Sequence, residues 1–404
     1  MVYDFLTLDD VDVAGRTVFL RADINIPLDP ASKRILDASR IQAVVPTIKD
    51  LREAKVVLGA HQSRPGRYDF TGLEMHARVL QMYLEQEVKY TSDVIGDEAQ
   101  NAIKALKPGE VLVLNNVRML EEENRIAPAE ELAGTEFVKT MAPLVDLFVN
   151  DAFAAAHRSQ PSLVGLSNTT PMVAGRLMER ELQALNRVLE TPARPAVYLL
   201  GGAKVDDRLP AIKRVLRDDI ADSILIGGLI RNSFHMAEGG MRHHYEELDE
   251  EGRKLVDEAK TILEEFPGKV VLPVDVALDV NRERVEIFAG KITDETNIYD
   301  IGLNTIAQFS SRIIRAGTVV AEGPLGMFER RGFDIGTKEL LRCMARCKGY
   351  TVVGGGHLGG MASMLGINEE MSHVSTGGGA MLSMLAGETL PVVAALEESK
   401  RRHG

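Results

Sequence analysis

The feature that most constrains how this chain can fold is an alternation of short apolar runs with segments of helical period. Residues 16–22 read as a strand, Ile41, Val44, Val45, Ile48 and Leu51 then mark one face of a helix, and residues 55–60 read as a strand again. Further strand-like runs fall at residues 111–114, 147–149, 196–200, 223–226, 270–272, 318–321 and 350–353. A β-α-β order of this kind predicts an α/β protein whose parallel sheets are covered by helices on both faces.

A length of 404 residues exceeds what one ordinary core serves and implies two or three domains. Between residues 174 and 190, Leu177, Met178, Leu182, Leu185, Val188 and Leu189 recur at helical spacing, and Thr-Pro-Ala-Arg-Pro at 191–195 stops the pattern. This segment is expected to be the helix joining two domains of similar size. The expected division is residues 1–173, completed by a C-terminal tail at 388–404 that packs back, then the joining helix at 174–190, then a second domain at 191–387.

Composition excludes several functions. A formal charge of -12 argues against a general nucleic-acid binder, which must concentrate Lys and Arg to replace counterions. The two cysteines, Cys343 and Cys347, can build neither a disulfide framework nor a four-thiolate zinc site, and suit a reducing cytoplasm. Residues 1–10 carry three Asp and lack the pattern of a secretory signal, and no apolar run approaches the roughly 20 residues that cross a bilayer. The expected setting is cytoplasmic, with neither membrane nor nucleic acid as partner.

Ligands of open parallel sheets bind beyond the carboxyl ends of the strands, and there the two halves of the chain differ. In the first half these positions are basic or polar: Arg21, Asp23 and Asn25, then His61 and Arg64, then Asn116 and Arg118, then Asn150, Asp151, His157 and Arg158. Guanidinium forks bind carboxylate and phosphate bidentately, so arginines from four strand ends, joined by Arg40, would make a pocket for a small polyanion. In the second half the same positions are glycines: Gly201-Gly202-Ala203-Lys204, Gly227-Gly228, Gly323-Pro324-Leu325-Gly326 and Gly354-Gly355-Gly356. Such clusters let backbone amides approach phosphates, and Lys204 suits a phosphate oxygen. The pattern Gly354-x-Gly356-x-x-Gly359 also matches a dinucleotide fingerprint, but no acidic residue ends a second strand about 20 residues on. His243-His244 reads as a polar surface pair.

Together these residues resemble the phosphoglycerate kinase family over nearly the whole chain. The resemblance is carried by residues 21–27 (Arg-Ala-Asp-Ile-Asn-Ile-Pro), by Asn150-Asp-Ala-Phe153 leading to His157-Arg158, and by residues 201–205, 323–329 and 373–379, all in family order. It implies two Rossmann-like domains, each a parallel sheet covered by helices, joined by a hinge helix. It implies binding of 3-phosphoglycerate through Asp23, Ile24, Asn25, Arg40, His61, Gln62, Ser63, Arg64, Arg118 and Arg158. The nucleotide, ATP or ADP, would contact Gly202, Lys204, Arg208, Gly323, Glu329 at the ribose, and Gly355, Gly356, His357 and Leu358 along the phosphate loop. Arg40, Lys204 and the helix start at Gly377 and Gly378 would serve catalysis.

The sequence departs from the family pattern in places. His-Leu-Gly-Arg is here His61-Gln-Ser-Arg64, a lysine common four residues after Lys204 is Arg208, and Ala154 and Glu322 replace the usual Gly and Asn. The triple glycine is followed by His357 where many members place an Asp that helps hold Mg²⁺, a trait resembling the archaeal-type branch. The metal ligand is therefore unassigned, and Mg²⁺ is expected to arrive mainly on the nucleotide.

A carboxylate acceptor, with a pKa of about 3.5, is ionised at neutral pH and needs no general base, which accounts for the lack of a catalytic dyad. Catalysis would rest on positioning and charge neutralisation, with domain closure aligning the ligands and excluding water. Two rivals are an NAD-dependent oxidoreductase using the glycines near 354 and a noncatalytic anion-binding protein on the same fold. Monomer and homodimer both stay open.

Overall fold

The computed structural model describes residues 4–293 and 296–404. The chain divides into two compact units, residues 4–183 with 389–404, and residues 184–388. The division falls inside the helix Arg176–Glu190, and the six apolar residues that mark its face in the sequence are all buried.

The first unit holds six strands: β1 (Thr17–Ala22), β2 (Lys55–Gly59), β3 (Val88–Tyr90), β4 (Val111–Val113), β5 (Leu147–Asp151) and β6 (Met172–Ala174). Their order is β3-β4-β2-β1-β5-β6, parallel throughout, with Val18 of β1 opposite Val56 of β2 and Leu147 of β5. The central strands are buried on both faces, which explains why they read as continuous apolar runs. Val18, Leu20, Val56, Leu58, Val113 and Val149 belong to one core. Phe19, from the opposite face of β1, sets its ring 5.7 Å from Phe137 and 5.6 Å from Phe148. A side chain at Gly59 would begin 2.5 Å from that Phe19 ring, so the neighbouring strand must end in glycine. The helix Pro391–His403 returns to this unit: Ser399 Oγ accepts from the Met172 amide at 2.7 Å, and Lys400 pairs with Asp4.

The second unit contains β7 (Ala196–Leu200), β8 (Ser223–Ile226), β9 (Val270–Val271), β10 (Asp275–Val280), β11 (Glu283–Phe288), β12 (Ile298–Ile301), β13 (Thr318–Glu322), β14 (Tyr350–Val353) and β15 (His373–Val374). Six of them form a parallel sheet of order β15-β14-β13-β7-β8-β9, while β11-β10-β12 form a small antiparallel sheet. The antiparallel sheet and the short strands β3, β6 and β15 are absent from the sequence reading. β10 and β11 mix charged residues with apolar ones instead of forming a long apolar run, and Asn281 and Arg282, at φ of 55° and 69°, make their two-residue turn.

Each parallel sheet has one point where the chain, having built outward on one side of its first strand, crosses to the other side. That point lies between β1 and β5 in the first sheet and between β7 and β13 in the second. The residues leaving these strand ends are therefore the ones positioned to meet ligands.

Asp151, the last residue of β5, shows how such an end is fixed. Its Oδ1 accepts from the amides of Leu177 and Met178 at 2.9 and 3.0 Å, and its Oδ2 accepts from Thr47 Oγ1 at 2.5 Å. Burial pushes this carboxyl up to about 6, opposed by those donors. Asp151 thus anchors the first turn of the helix Arg176–Glu190 to the sheet. Asp151→Ala should lower unfolding stability by roughly 2 kcal/mol, since it strips a buried cap and leaves amides unpaired; urea denaturation measures it.

Candidate active site

At the carboxyl ends of the first sheet a cavity of about 860 Å³ opens, lined in part by Asn25, Ser63, Arg64, Arg67, Tyr68, Arg118, His157 and Arg158. Five of the residues expected to bind the acid substrate, Asn25, Ser63, Arg64, Arg118 and Arg158, line it. Arg64 and Arg67 are exposed, and their side chains form no hydrogen bond or ion pair with other described residues. Arg118 donates to the carbonyl of Ser63 at 2.5 Å, and Arg158 Nε to His157 Nε2 at 3.2 Å. Burial, then the neighbouring Arg158 and Arg21, push the Arg118 guanidinium down to about 10. Crowded like charges of this kind are relieved by a bound polyanion.

The other expected residues stand behind the cavity wall. Asp23 is buried and receives Arg40 Nη1 at 2.7 Å, while its Oδ1 accepts from the Asn25 amide at 3.1 Å. Gln62 is fully buried and stitches two loops together: Oε1 accepts from the Ile26 amide at 3.1 Å and Nε2 donates to the Ile26 carbonyl at 3.0 Å. Ile24 is buried in the core beside it. The side chains of Ile24 and Gln62 are thus buried and shape the loops, and any part they take at the cavity falls to their backbones.

Arg21 departs furthest from expectation. It is 1% exposed, and its donors reach Ser162 Oγ at 2.8 Å, the Ala22 carbonyl at 2.5 Å and His61 Nδ1 at 3.2 Å. Its fork is consumed in support, so it is not one of the arginines offered to a ligand. Glu123, equally buried, balances it through Ser162, whose hydroxyl donates to Glu123 at 2.5 Å. Glu123 escaped the sequence reading because it follows no strand. Arg67 and Tyr68 escaped it too, although Arg67 lies only three residues beyond Arg64 in the same loop.

In the second unit the turns after β7, β8 and β13 pack on one another. The Gly201 and Gly202 amides donate to the Glu322 and Pro324 carbonyls at 2.9 and 2.6 Å, and the Gly228 amide to Leu325 at 2.9 Å. A Cβ at Gly201 would lie 2.3 Å from Pro324 O, so the first three glycine clusters are needed for this close approach of backbones. Lys204 is exposed, with Asp207 at 3.6 Å, whereas Arg208 is buried and paired with Glu322 at 2.8 Å. Burial pushes the Glu322 carboxyl up, while Arg208 pulls it down.

In the fourth cluster Gly354 and Gly355 are closely packed as well, but the last glycine is different. Gly356, at φ 69°, has open space where a side chain would be, and it begins the helix His357–Met364 without a side-chain cap. Gly377 begins the helix Gly378–Ala386 in the same way. Uncapped helix starts with bare glycine amides are ready receivers of phosphate oxygens. Leu358 is buried in the core, so only its backbone is available, and Glu329 is exposed. The His357 ring packs against Phe328, centroids 4.9 Å apart. Gly354 follows β14, which is not at the switch point of its sheet, so these glycines do not occupy the place of a dinucleotide fingerprint. His243 lies exposed beside Glu247 at 3.2 Å.

A cavity ringed by guanidiniums on one α/β unit and uncapped glycine helix starts on another are features of proteins that handle phosphorylated anions. Comparison with known proteins gives the same class and a narrower one. A family model described as phosphoglycerate kinase matches residues 8–388. The phosphoglycerate kinase of Methanothermobacter thermautotrophicus is 45% identical over 98% of each chain, and that of Pyrococcus furiosus 45% over 97% of each. A crystal structure of the Pyrococcus horikoshii OT3 phosphoglycerate kinase is 42% identical, covers 98% of this chain and all of that one, and superposes with a TM-score of 0.90. The Coxiella burnetii enzyme gives 0.79 at 31% identity, over 99% and 100% of the chains. The chain belongs to the phosphoglycerate kinase family, and its activity is phosphoryl transfer between ATP and 3-phosphoglycerate; the oxidoreductase reading is not supported. Among the described residues no single helix is long and apolar enough to cross a membrane.

His61 supplies a pH test of this site. It is buried beside Arg21, Arg118, Arg158 and Arg40, and desolvation first, then those charges, hold its imidazole well below the usual value. The stability contributed by its neutral form is therefore full above the unfolded value near 6.5 and declines as pH falls toward the folded one. The NMR ring signal of His61 should stay flat from pH 8 to about 6, where an exposed histidine titrates.

Proposed function

We propose that residues 4–183 with the C-terminal helix bind 3-phosphoglycerate and that residues 184–388 bind the nucleotide. The observation that carries this reading is the crowding of Arg64, Arg118 and Arg158 around one cavity, with Arg118 already held below its usual value by burial and then by its charged neighbours. A trianionic acid phosphate relieves that repulsion; ATP would also be attracted, but the uncapped glycine turns favour it on the other unit.

In the forward step a carboxylate oxygen of 3-phosphoglycerate attacks the γ-phosphorus of ATP, the bond from that phosphorus to the β-γ bridging oxygen breaks, and ADP leaves with its electron pair. No proton moves, so the chain needs no base. Arg40, fixed by Asp23, and Lys204 neutralise charge on the migrating group, and the helix start at Gly377 and Gly378 faces its oxygens with the Gly378 amide, the Gly377 amide donating to Ser375 Oγ at 3.1 Å. Gly202, Gly323, Gly355 and Gly356 keep the backbone near the other phosphates, with Arg208 beside them and Glu329 assigned to the ribose.

Magnesium, when bound, would offset the charge of the nucleotide phosphates during transfer. No group of three His, Cys, Asp or Glu side chains gathers among the described residues, which fits an ion carried by nucleotide oxygens and water. His357 is a poor ligand for so hard a cation, and its ring is engaged with Phe328.

Two measurements test the reading. Arg64→Ala and Arg118→Ala should each weaken 3-phosphoglycerate binding by roughly 1.5 to 3 kcal/mol in calorimetric titration while ATP affinity stays near that of the parent. An equal loss for ATP would reverse the assignment of the units. Separately, turnover should require Mg²⁺, and His357→Ala should keep most of it; complete loss of turnover in that variant would make the imidazole a ligand after all.

A further inference from the structure

We propose that Glu322 is a positioning residue for phosphoryl transfer, acting through Arg208, and that the two side chains are a matched pair at the switch point of the second sheet. The proposal rests on the assignment of the nucleotide to residues 184–388. Arg208 opens the helix Arg208–Arg217 and is buried. Its Nη2 meets Glu322 Oε2 at 2.8 Å and its Nη1 donates to the Lys204 carbonyl at 2.6 Å, so the end of β13 and the loop after β7 grip the guanidinium from two sides. The buried Nε has no partner among the described residues.

The surrounding backbone is cut away for this arrangement. A Cβ at Gly202 would stand 2.6 Å from Arg208 Nη2, and one at Gly323 2.9 Å, and both glycines hold positive φ, 88° and 78°. The second oxygen of Glu322, Oε1, lies 2.9 Å from where a Cβ on Gly378 would be, at the uncapped start of the helix Gly378–Ala386. The carboxylate thus sits between a guanidinium and a helix N-terminus, two groups that each favour an anion. It orients both before a ligand arrives.

The charge balance follows. Arg208 and Glu322 sum to zero, so Arg208 brings directed donors in a fixed plane, and Lys204 carries the mobile positive charge nearby. Loss of the carboxylate frees one edge of the fork, and such misplacement costs rate more than affinity. The structure puts the two side chains 2.8 Å apart, so the residue at either position sets what the other must be.

The test is a double-mutant cycle on the full chain, with steady-state kinetics, ATP calorimetry and thermal melting of R208K, E322N and R208K/E322N. Each single variant should lower kcat by about tenfold with the KM for 3-phosphoglycerate within about twofold, and the double variant should return to within about threefold of the parent. If E322N fails to fold, the near-isosteric E322Q takes its place in the cycle. Independent, multiplying losses, or a parental kcat in the Glu322 single variant, would overturn the pair. Lys204→Met run alongside should lower kcat; unchanged turnover and ATP affinity there would overturn the nucleotide assignment and the pair with it.

Discussion

A strand buried on both faces can offer polar side chains to solvent only where it ends, and this restriction organises both units. β1, β2, β5, β7 and β13 spend their lengths on apolar contacts, and Arg21, Asp23, His61, Asn150, Asp151, Lys204 and Glu322 stand at or just past their carboxyl ends. The crossing of the chain at β1/β5 and β7/β13 then leaves a gap between neighbouring loops. Chemistry collects there because the fold allows it nowhere else on the sheet.

The two units fill that gap by opposite means. The first uses side chains in layers. A buried tier, Arg21, His61, Gln62, Asn116 and Glu123, hydrogen-bonds loops to one another, and an outer tier of arginines stands on it. Asn116, for example, donates to the carbonyls of Gln62 and Thr71 at 2.8 and 2.9 Å, tying the end of β4 to the loop after β2. The buried charges are affordable because they are paired and hydrogen-bonded. The second unit removes side chains instead, so that peptide groups themselves can touch at Gly201, Gly227, Gly228 and Gly323. A layered wall can hold a shaped organic anion, whereas bare amides suit the repeated oxygens of a phosphate chain.

Much of this was legible in the sequence because burial on both faces writes a strand as an unbroken apolar run, and the residue after such a run is a strand end by construction. That logic located the arginine and glycine positions and the long helix at 176–190. It could not say which way a strand-end side chain turns. Arg21 and Arg64 look alike as text, yet one is sealed behind Ser162 and the other is exposed to the cavity, because their loops differ in what packs behind them. Gln62, which the resemblance placed among the substrate contacts, is fully buried in the same wall. Strands of two or three residues, such as β3 and β15, carry too few side chains for a period to show. The partnership of Arg208 with Glu322 joins residues 114 positions apart, and only the sheet order brings them together.

The return of the helix Pro391–His403 to the unit made of residues 4–183 has a consequence for how the protein comes into being on the ribosome. The unit formed by residues 184–388 is one continuous stretch and is chemically complete while the nascent chain still grows. The other unit emerges first but waits for the piece that supplies Ser399 to the edge strand β6 and Lys400 to Asp4. Until that piece arrives, the Met172 amide on edge strand β6 lacks its Ser399 partner, so the half synthesised earliest is finished last.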